Sequence, residues 1–275
     1  MRTFTFKGLF LTVLLGCLSI QAADADLITK QITIKLDEAG TLPNKIGNSR
    51  KYDITNLKLV GEINGTDLRM IREMAGRDHN GDVTKGNLSV LDLSEAKIIE
   101  GGGSYCSDYY TSNDKIGDVA FSGCSGLTSL TLPAGITSID KYAFSGCSRL
   151  TSLTLPAGIT SIGEFAFSYC SGLTSIYVYA EKVPRIGRYA FEGCASRKCT
   201  LYVPKGTYDN YRLSEFGYFE NIVEFDATGI DKTTTSTDVE EVSRYSLNGQ
   251  RLVGPTKGLN IVKYSDGSVK KVAVE

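Results

Sequence analysis

Between Leu88 and Pro204 the apolar positions fall on a fixed grid. Leu127, Leu130 and Leu132, then Leu150, Leu153 and Leu155, then Leu173, Ile176 and Val178 repeat the spacing Leu-x-x-Leu-x-Leu. Alternation over the last part of each set predicts a short strand with one buried face. Pro133 and Pro156 end two of these strands, because proline has no N–H to give to a ladder. A second apolar set, Ile136 and Ile139, Ile159 and Ile162, with Ala143-Phe144 and Ala166-Phe167, must return along the opposite wall and close a hydrophobic interior. Phe121, Phe144, Phe167 and Phe191 are 23, 23 and 24 residues apart, and Cys124, Cys147, Cys170 and Cys194 move in step. A constant period of this length predicts stacked coils of a solenoid. Copies 121–143 and 144–166 differ at four positions, whereas copy 167–190 has diverged.

The pattern reaches further in both directions. Leu88, Leu91 and Leu93 keep the same spacing, and Ile116 to Phe121 matches Ile162 to Phe167, so one repeat runs from 88 to about 120 with an inserted loop. Ile54 to Leu59 and Leu201 to Pro204 offer further strands, which brings the expected parallel sheet to about six strands. A single repeat cannot bury its apolar face, so the ends need caps. Residues 26–87, carrying the first strand, and residues 205–226 are placed there. In the first cap, Thr66 or Asp67 precedes Leu68, Met70, Ile71 and Met74 at helical spacing and Gly76 ends them, which predicts a short capped helix. The fold class expected is an α/β-type repeat solenoid, a right-handed coil with one parallel sheet, an N-terminal cap with a short helix, and a small antiparallel β unit at the C-terminus.

The residues Ala143-Phe144, Cys147, Leu150, Leu153, Leu155, Pro156, Ile159, Ile162 and Gly163 resemble the repeat of the BspA-like leucine-rich repeat family of bacterial surface proteins. The resemblance covers about 88–204, and Ile63 to Asp67 with Leu91 to Ser94 resembles the N-terminal region of such proteins. It implies export or surface display, adhesion to a host or microbial protein or glycan, and no catalytic centre. The Thr-rich stretch 227–242 reads as a linker. Beyond it, 243–275 contains three strand-like runs with turns at Asn248-Gly249 and Asp266-Gly267. This segment is similar to C-terminal sorting domains of type IX secretion, although Asn260 stands where an apolar or aromatic residue is usual. Three strands without a covered face are marginal, so docking on the solenoid is the alternative use of the segment.

At the other end, Arg2 and Lys7 precede an apolar run from Gly8 to Ile20, followed by small and polar residues to Ala25. This is the pattern of a secretory signal peptide over 1–25. About a dozen apolar residues are too few for a span that needs roughly 20. No transmembrane segment is expected after its removal. Leu14 to Cys17 resembles a lipoprotein box, which would make Cys17 a lipid anchor, but Leu18, Ser19 and Ile20 continue the apolar run and favour simple cleavage.

Composition narrows the chemistry. The 275 residues carry 30 basic and 31 acidic side chains, one His, seven Cys and no Trp. Near-neutrality removes the basic field that a nucleic acid backbone requires. The lone His79 leaves one place for an imidazole-dependent nucleophile and removes any site with two His ligands. No catalytic residue, cofactor or metal site is expected. His79 lies in Asp78 to Asp82, but a calcium loop would need Gly at Val83 and Glu at Ser89, so this reads as a solvated loop. Carboxylates such as Asp92 with Glu95 or Asp108 have no spacing that singles out a hydrolytic pair. Asn64 and Asn87 open glycosylation sequons by pattern only.

Cys124, Cys147, Cys170 and Cys194 are expected to form a buried ladder of thiols acting as small hydrophobes. Cys194 and Cys199 are close enough in sequence to close a disulfide, and Cys106 in the inserted loop is a candidate free or intermolecular thiol. With Leu at the first, fourth and sixth positions pointing inward, the third and fifth face out: Val90 and Asp92, Ser129 and Thr131, Ser152 and Thr154, Ser175 and Tyr177, Thr200 and Tyr202. Asp92, Thr131, Thr154, Tyr177, Tyr179 and Tyr202 on this face are the first candidates for ligand binding, and Tyr105, Tyr109 and Tyr110 in the Gly-rich insert are the second; the alternatives are hydroxyls that only keep the face soluble and an insert that folds over the coil's edge. The alternative function is a structural or self-assembling surface component with no soluble ligand.

Overall fold

The computed structural model describes residues 27–227, 241–246, 251–252, 257–264 and 269–274. The signal segment with Cys17, most of the 227–242 linker and the turns at Asn248-Gly249 and Asp266-Gly267 lie outside the described residues.

The chain winds a leucine-rich repeat solenoid with a broad sheet along one wall. Eight strands lie side by side in chain order, all parallel: Ile32–Leu36, Asn56–Ile63, Val90–Ile98, Ser129–Thr131, Ser152–Leu155, Ser175–Val178, Thr200–Pro204 and Asn221–Phe225. Sequence spacing predicted about six. The additional strands are the two edges, Ile32–Leu36 and Asn221–Phe225, which sit where caps were expected. On the opposite wall four two-residue strands, Lys115–Ile116, Ser138–Ile139, Ser161–Ile162 and Arg185–Ile186, form a second parallel sheet. These are the returning isoleucines of the pattern.

Register places like over like. Leu130, Leu153, Ile176 and Leu201 pair across the broad sheet and are buried. Phe121, Phe144, Phe167 and Phe191 stack in the interior with centroids 5.3, 5.1 and 5.4 Å apart and planes within 5°. Such contacts add about 0.5–1.5 kcal/mol each beyond burial. Threonines that precede the strands hold coil to coil: Thr128, Thr151 and Thr174 each donate a hydroxyl to the carbonyl one coil back, Ser89, Thr128 and Thr151, at 3.0–3.1 Å. The repeated Leu-Thr-Ser thus carries a structural hydroxyl beside the outward one.

The N-terminal cap is built on the helix Gly65–Met74. Its cap is Asn64, two residues before Thr66 and three before Asp67, the residues predicted for it: Asn64 Oδ1 accepts from the Thr66 N–H at 3.0 Å. Asp67 instead sits inside the first turn, completely buried, where its carboxylate accepts from the N–H groups of Asn64, Gly40 and Leu42 at 3.0, 2.6 and 2.9 Å. That reciprocal arrangement is a capping box extended to a second segment. Gly76, with φ +102°, closes the other end.

The insert is a hairpin, Gly101–Cys106 against Tyr109–Thr111, laid on this helix. The approach is so close that a Cβ on Gly65 would stand 2.0 Å from the Gly103 carbonyl oxygen. Arg72, 1% exposed, joins cap, hairpin and first complete coil: Nη1 donates to the Val119 and Ala120 carbonyls, both at 2.7 Å, and Nη2 to Cys106 Sγ at 3.4 Å.

At the far end Tyr211, Phe216 and Phe219 are completely buried, and Phe219 packs edge-on against Phe191 at 5.2 Å. Tyr211 donates its hydroxyl to the Ala180 carbonyl at 2.6 Å.

The C-terminal unit has four antiparallel strands in the order Arg251–Leu252, Glu241–Ser246, Gly258–Tyr264 and Val269–Val274. Three runs were predicted. Asn260 is 1% exposed and accepts from Arg244 Nη1 at 3.2 Å, so a buried polar partner accounts for the residue that departs from the expected pattern.

Candidate binding surface

Alternation along each strand sends every second side chain out of the solenoid, and the parallel register lines these side chains up. One row runs Lys58, Asp92, Thr131, Thr154, Tyr177, Tyr202 and Val223. A second runs Val90, Ser129, Ser152, Ser175, Thr200 and Asn221. Three zones follow along the sheet.

The first zone is ionic and closed on itself. Lys58 Nζ lies 3.5 Å from Asp92 Oδ2 and 2.6 Å from Glu95 Oε1. Partial burial works against the Asp92 carboxylate, but hydrogen bonds from Ser94 and the charge of Lys58 outweigh it and hold the carboxyl below its ordinary value. The Glu95 hydrogen bond leads the effects that raise Lys58. Asp92 is therefore committed to its own sheet, and both carboxylates of the pair considered for hydrolysis are held by one ammonium. The second zone is hydroxyl: Thr131 is exposed and Thr154 half-buried, and Ser175 Oγ donates to Ser152 Oγ at 3.1 Å.

The third zone is aromatic. Tyr177 and Tyr202 stack at 4.4 Å with planes 6° apart. Phe225 meets Tyr177 and Tyr179 edge-on at 6.0 and 5.1 Å. Burial first, then the neighbouring Tyr202, push the Tyr177 phenol above its ordinary value. The structure thus brings Tyr177, Tyr179 and Tyr202 together and adds Phe225. Phe225 carried no such signal, since Asn221 to Phe225 lacks the alternation of Thr200 to Pro204 and its aromatic setting reads as cap.

Of the two readings of the insert, the packed one holds for its first strand. Tyr105 is 1% exposed and donates its hydroxyl to the Asp118 carbonyl at 2.7 Å, so it is a core residue and not a contact. Tyr109 and Tyr110 are exposed. Cys106 is buried against Arg72, which removes the intermolecular thiol reading. His79 Nε2 lies 3.0 Å from Ser104 Oγ and from the Ser107 carbonyl, and Asp78 Oδ1 accepts from the Asn80 and Asp82 N–H groups at 2.9 and 2.8 Å. Asp78 is thus occupied by its own turn.

Cys124, Cys147, Cys170 and Cys194 are buried free thiols. Burial raises all four, Cys124 to about 11 and Cys194 to about 12. Cys194 and Cys199 are not joined: both are free thiols, and Cys194 Sγ donates to the Phe167 carbonyl at 3.2 Å.

A second aromatic feature escaped the pattern reading. Tyr142, Phe165 and Tyr189, each just before an Ala-Phe pair, stack at 5.0 and 5.2 Å on the turn wall, with φ of 54°, 53° and 57°. Bulky residues seldom adopt such values. Equivalence at period 23 and 24 was the available signal.

The solved structure of a leucine-rich repeat protein from Bacteroides ovatus ATCC 8483 is similar, at 22% identity over 72% of this chain and 42% of that chain, with a TM-score of 0.34. The chain therefore spans less than half the length of that protein. No curated protein matches the chain. Among the described residues no helix is long and apolar enough to cross a membrane. Residues 108–211, the stretch that winds the regular coils, match the BspA type leucine rich repeat region in six copies.

Proposed function

We propose that this protein is an exported, cell-surface or secreted recognition protein of non-catalytic type, which binds an extracellular protein or glycan through the C-terminal half of its broad sheet. The observation that carries the reading is the cluster of Tyr177, Tyr179, Tyr202 and Phe225 beside the hydroxyl rows. Tyrosines are enriched at interfaces because they join apolar area to a polar tip at low entropic cost. The BspA-type repeat match supports a surface role, as does the signal-like segment 1–25. The C-terminal residues that resemble a type IX sorting domain supply the route to the surface.

Mass spectrometry of the native protein from its own cells tests export. Cleavage near Ala25 and loss of the C-terminal unit are expected, and a chain retained intact in the cytoplasm would refute it. Adhesion of the purified chain to extracellular matrix and polysaccharide surfaces tests the face: Tyr177→Ala with Tyr202→Ala is expected to abolish adhesion, while Tyr110→Ala leaves it. Adhesion unaffected by the double change would remove the sheet face from the account.

A further inference from the structure

We infer that the ligand of this face is a neutral, hydroxyl-rich polysaccharide; the inference rests on the sheet-face reading above and names its ligand class. Across the five strands from Ser129–Thr131 to Asn221–Phe225, the two outward rows hold only Ser, Thr, Tyr, Asn and Val. They contain no carboxylate, ammonium or guanidinium. The charged groups of the outward rows lie at the other end, where Lys58 closes on Asp92 and Glu95, and Glu224 of the edge strand is held away from these rows by the Gly206 and Tyr208 N–H groups. A ligand charge set on the five strands would give up water and meet no counter-charge, which is a net cost. Sialylated, sulfated and uronic acid polymers are therefore disfavoured.

A neutral sugar chain meets the opposite conditions. Its hydroxyls need partners that both donate and accept, which Ser and Thr hydroxyls supply. Strand spacing presents these hydroxyls at regular intervals of about 4.8 Å along the sheet. The apolar C–H side of a pyranose ring needs an aromatic wall, and Tyr179, 37% exposed, with the Phe225 edge beside it, supplies one. The tyrosines would suit a protein ligand as well, but protein hot spots also draw on Trp and Arg. The chain has no Trp and these rows have no Arg.

The experiment is biolayer interferometry of the full secreted chain against neutral polymers (mannan, starch, a mixed-linkage β-glucan), acidic polymers (hyaluronan, heparin) and matrix proteins, at low and high salt. Binding is expected to a neutral polymer, nearly independent of salt, and weakened about tenfold or more by Tyr202→Ala. Thr154→Asp, which sets an unpaired charge among the hydroxyls, is expected to leave that neutral binding weakened without creating binding to heparin. Tyr202-sensitive binding confined to acidic polymers or to proteins would overturn the glycan class while the face reading stands. Binding to a neutral polymer that ignores Tyr202→Ala would overturn the face itself and the inference with it.

Discussion

The thiol of Cys170 donates to the carbonyl of Phe144, 3.1 Å away and one whole coil back. Cys147 does the same to Phe121 and Cys194 to Phe167, both at 3.2 Å. Three of the four rungs thus bring a second donor to a carbonyl of the coil before, which already accepts from the N–H three residues on, and this is what a small apolar residue in the same space would not supply. We expect Cys147→Ala to lower stability by about 1–2 kcal/mol, through the space left and the lost donor, in urea unfolding followed by circular dichroism. Cys147→Ser, which keeps a donor in place, should cost less than Cys147→Ala. An equal loss for the two would show that the thiol only fills space.

The same burial sets a pH dependence. Folded thiols that titrate near 11 at Cys124 and 12 at Cys194, against an ordinary 9.0, hold more protons than the unfolded chain once the pH passes about 9. Stability from these groups is therefore complete below pH 9 and falls as pH rises toward the folded values. A native chain at pH 8 should leave these thiols unlabelled by a disulfide reagent, with labelling appearing together with unfolding in urea. Fast labelling of Cys124 or Cys147 in the folded chain would contradict the ladder.

Asp67 makes three hydrogen bonds to backbone N–H groups of two segments and touches no solvent. Asp67→Ala leaves those three donors unpaired, two of them buried, so a loss of about 2–4 kcal/mol is expected, felt first in the N-terminal cap. Hydrogen exchange should show the helix Gly65–Met74 and the segment Ile32–Leu36 opening while the coils from Phe121 onward stay protected. Uniform loss of protection along the chain would mean that the cap has no separate stability.

Gly65 has no room for a side chain, since an added Cβ would stand 2.0 Å from the Gly103 carbonyl oxygen. Gly65→Ala is expected to lift the Gly101–Cys106 hairpin off the helix and expose Cys106 to thiol reagents. Unchanged protection of Cys106 would show that the bonds from Arg72, Thr66 and Tyr105 hold the hairpin without this close approach.

The regular coils were legible in the sequence because their signal is redundant: period, Leu spacing and Ile spacing repeat over 121–190 and fix strand, return and buried face together. The two edge strands were not, because Ile32–Leu36 and Asn221–Phe225 each pair on one side only and lack the repeat that marks the others. Asn64 does not stand out as helix cap because Thr66 and Asp67 are also good cap residues by type, and only the fold shows that Asp67 is needed by Gly40 and Leu42. Tyr105 read as a contact residue because its Gly-rich neighbours suggest a free loop; the hairpin packs instead, and buries it. Of the outward rows, Tyr177, Tyr179 and Tyr202 were visible as alternating positions. Their meeting with Phe225 depended on an eighth strand that no repeat announces.

The central claim, that the broad sheet is the surface that meets the ligand, is tested most directly by site-specific photo-crosslinking. A photoreactive side chain is placed at Thr154, at Tyr202 or at Tyr110, and the chain is irradiated on a surface that it adheres to. The account predicts adducts from Thr154 and Tyr202 and none from Tyr110; adducts from Tyr110 alone would contradict it.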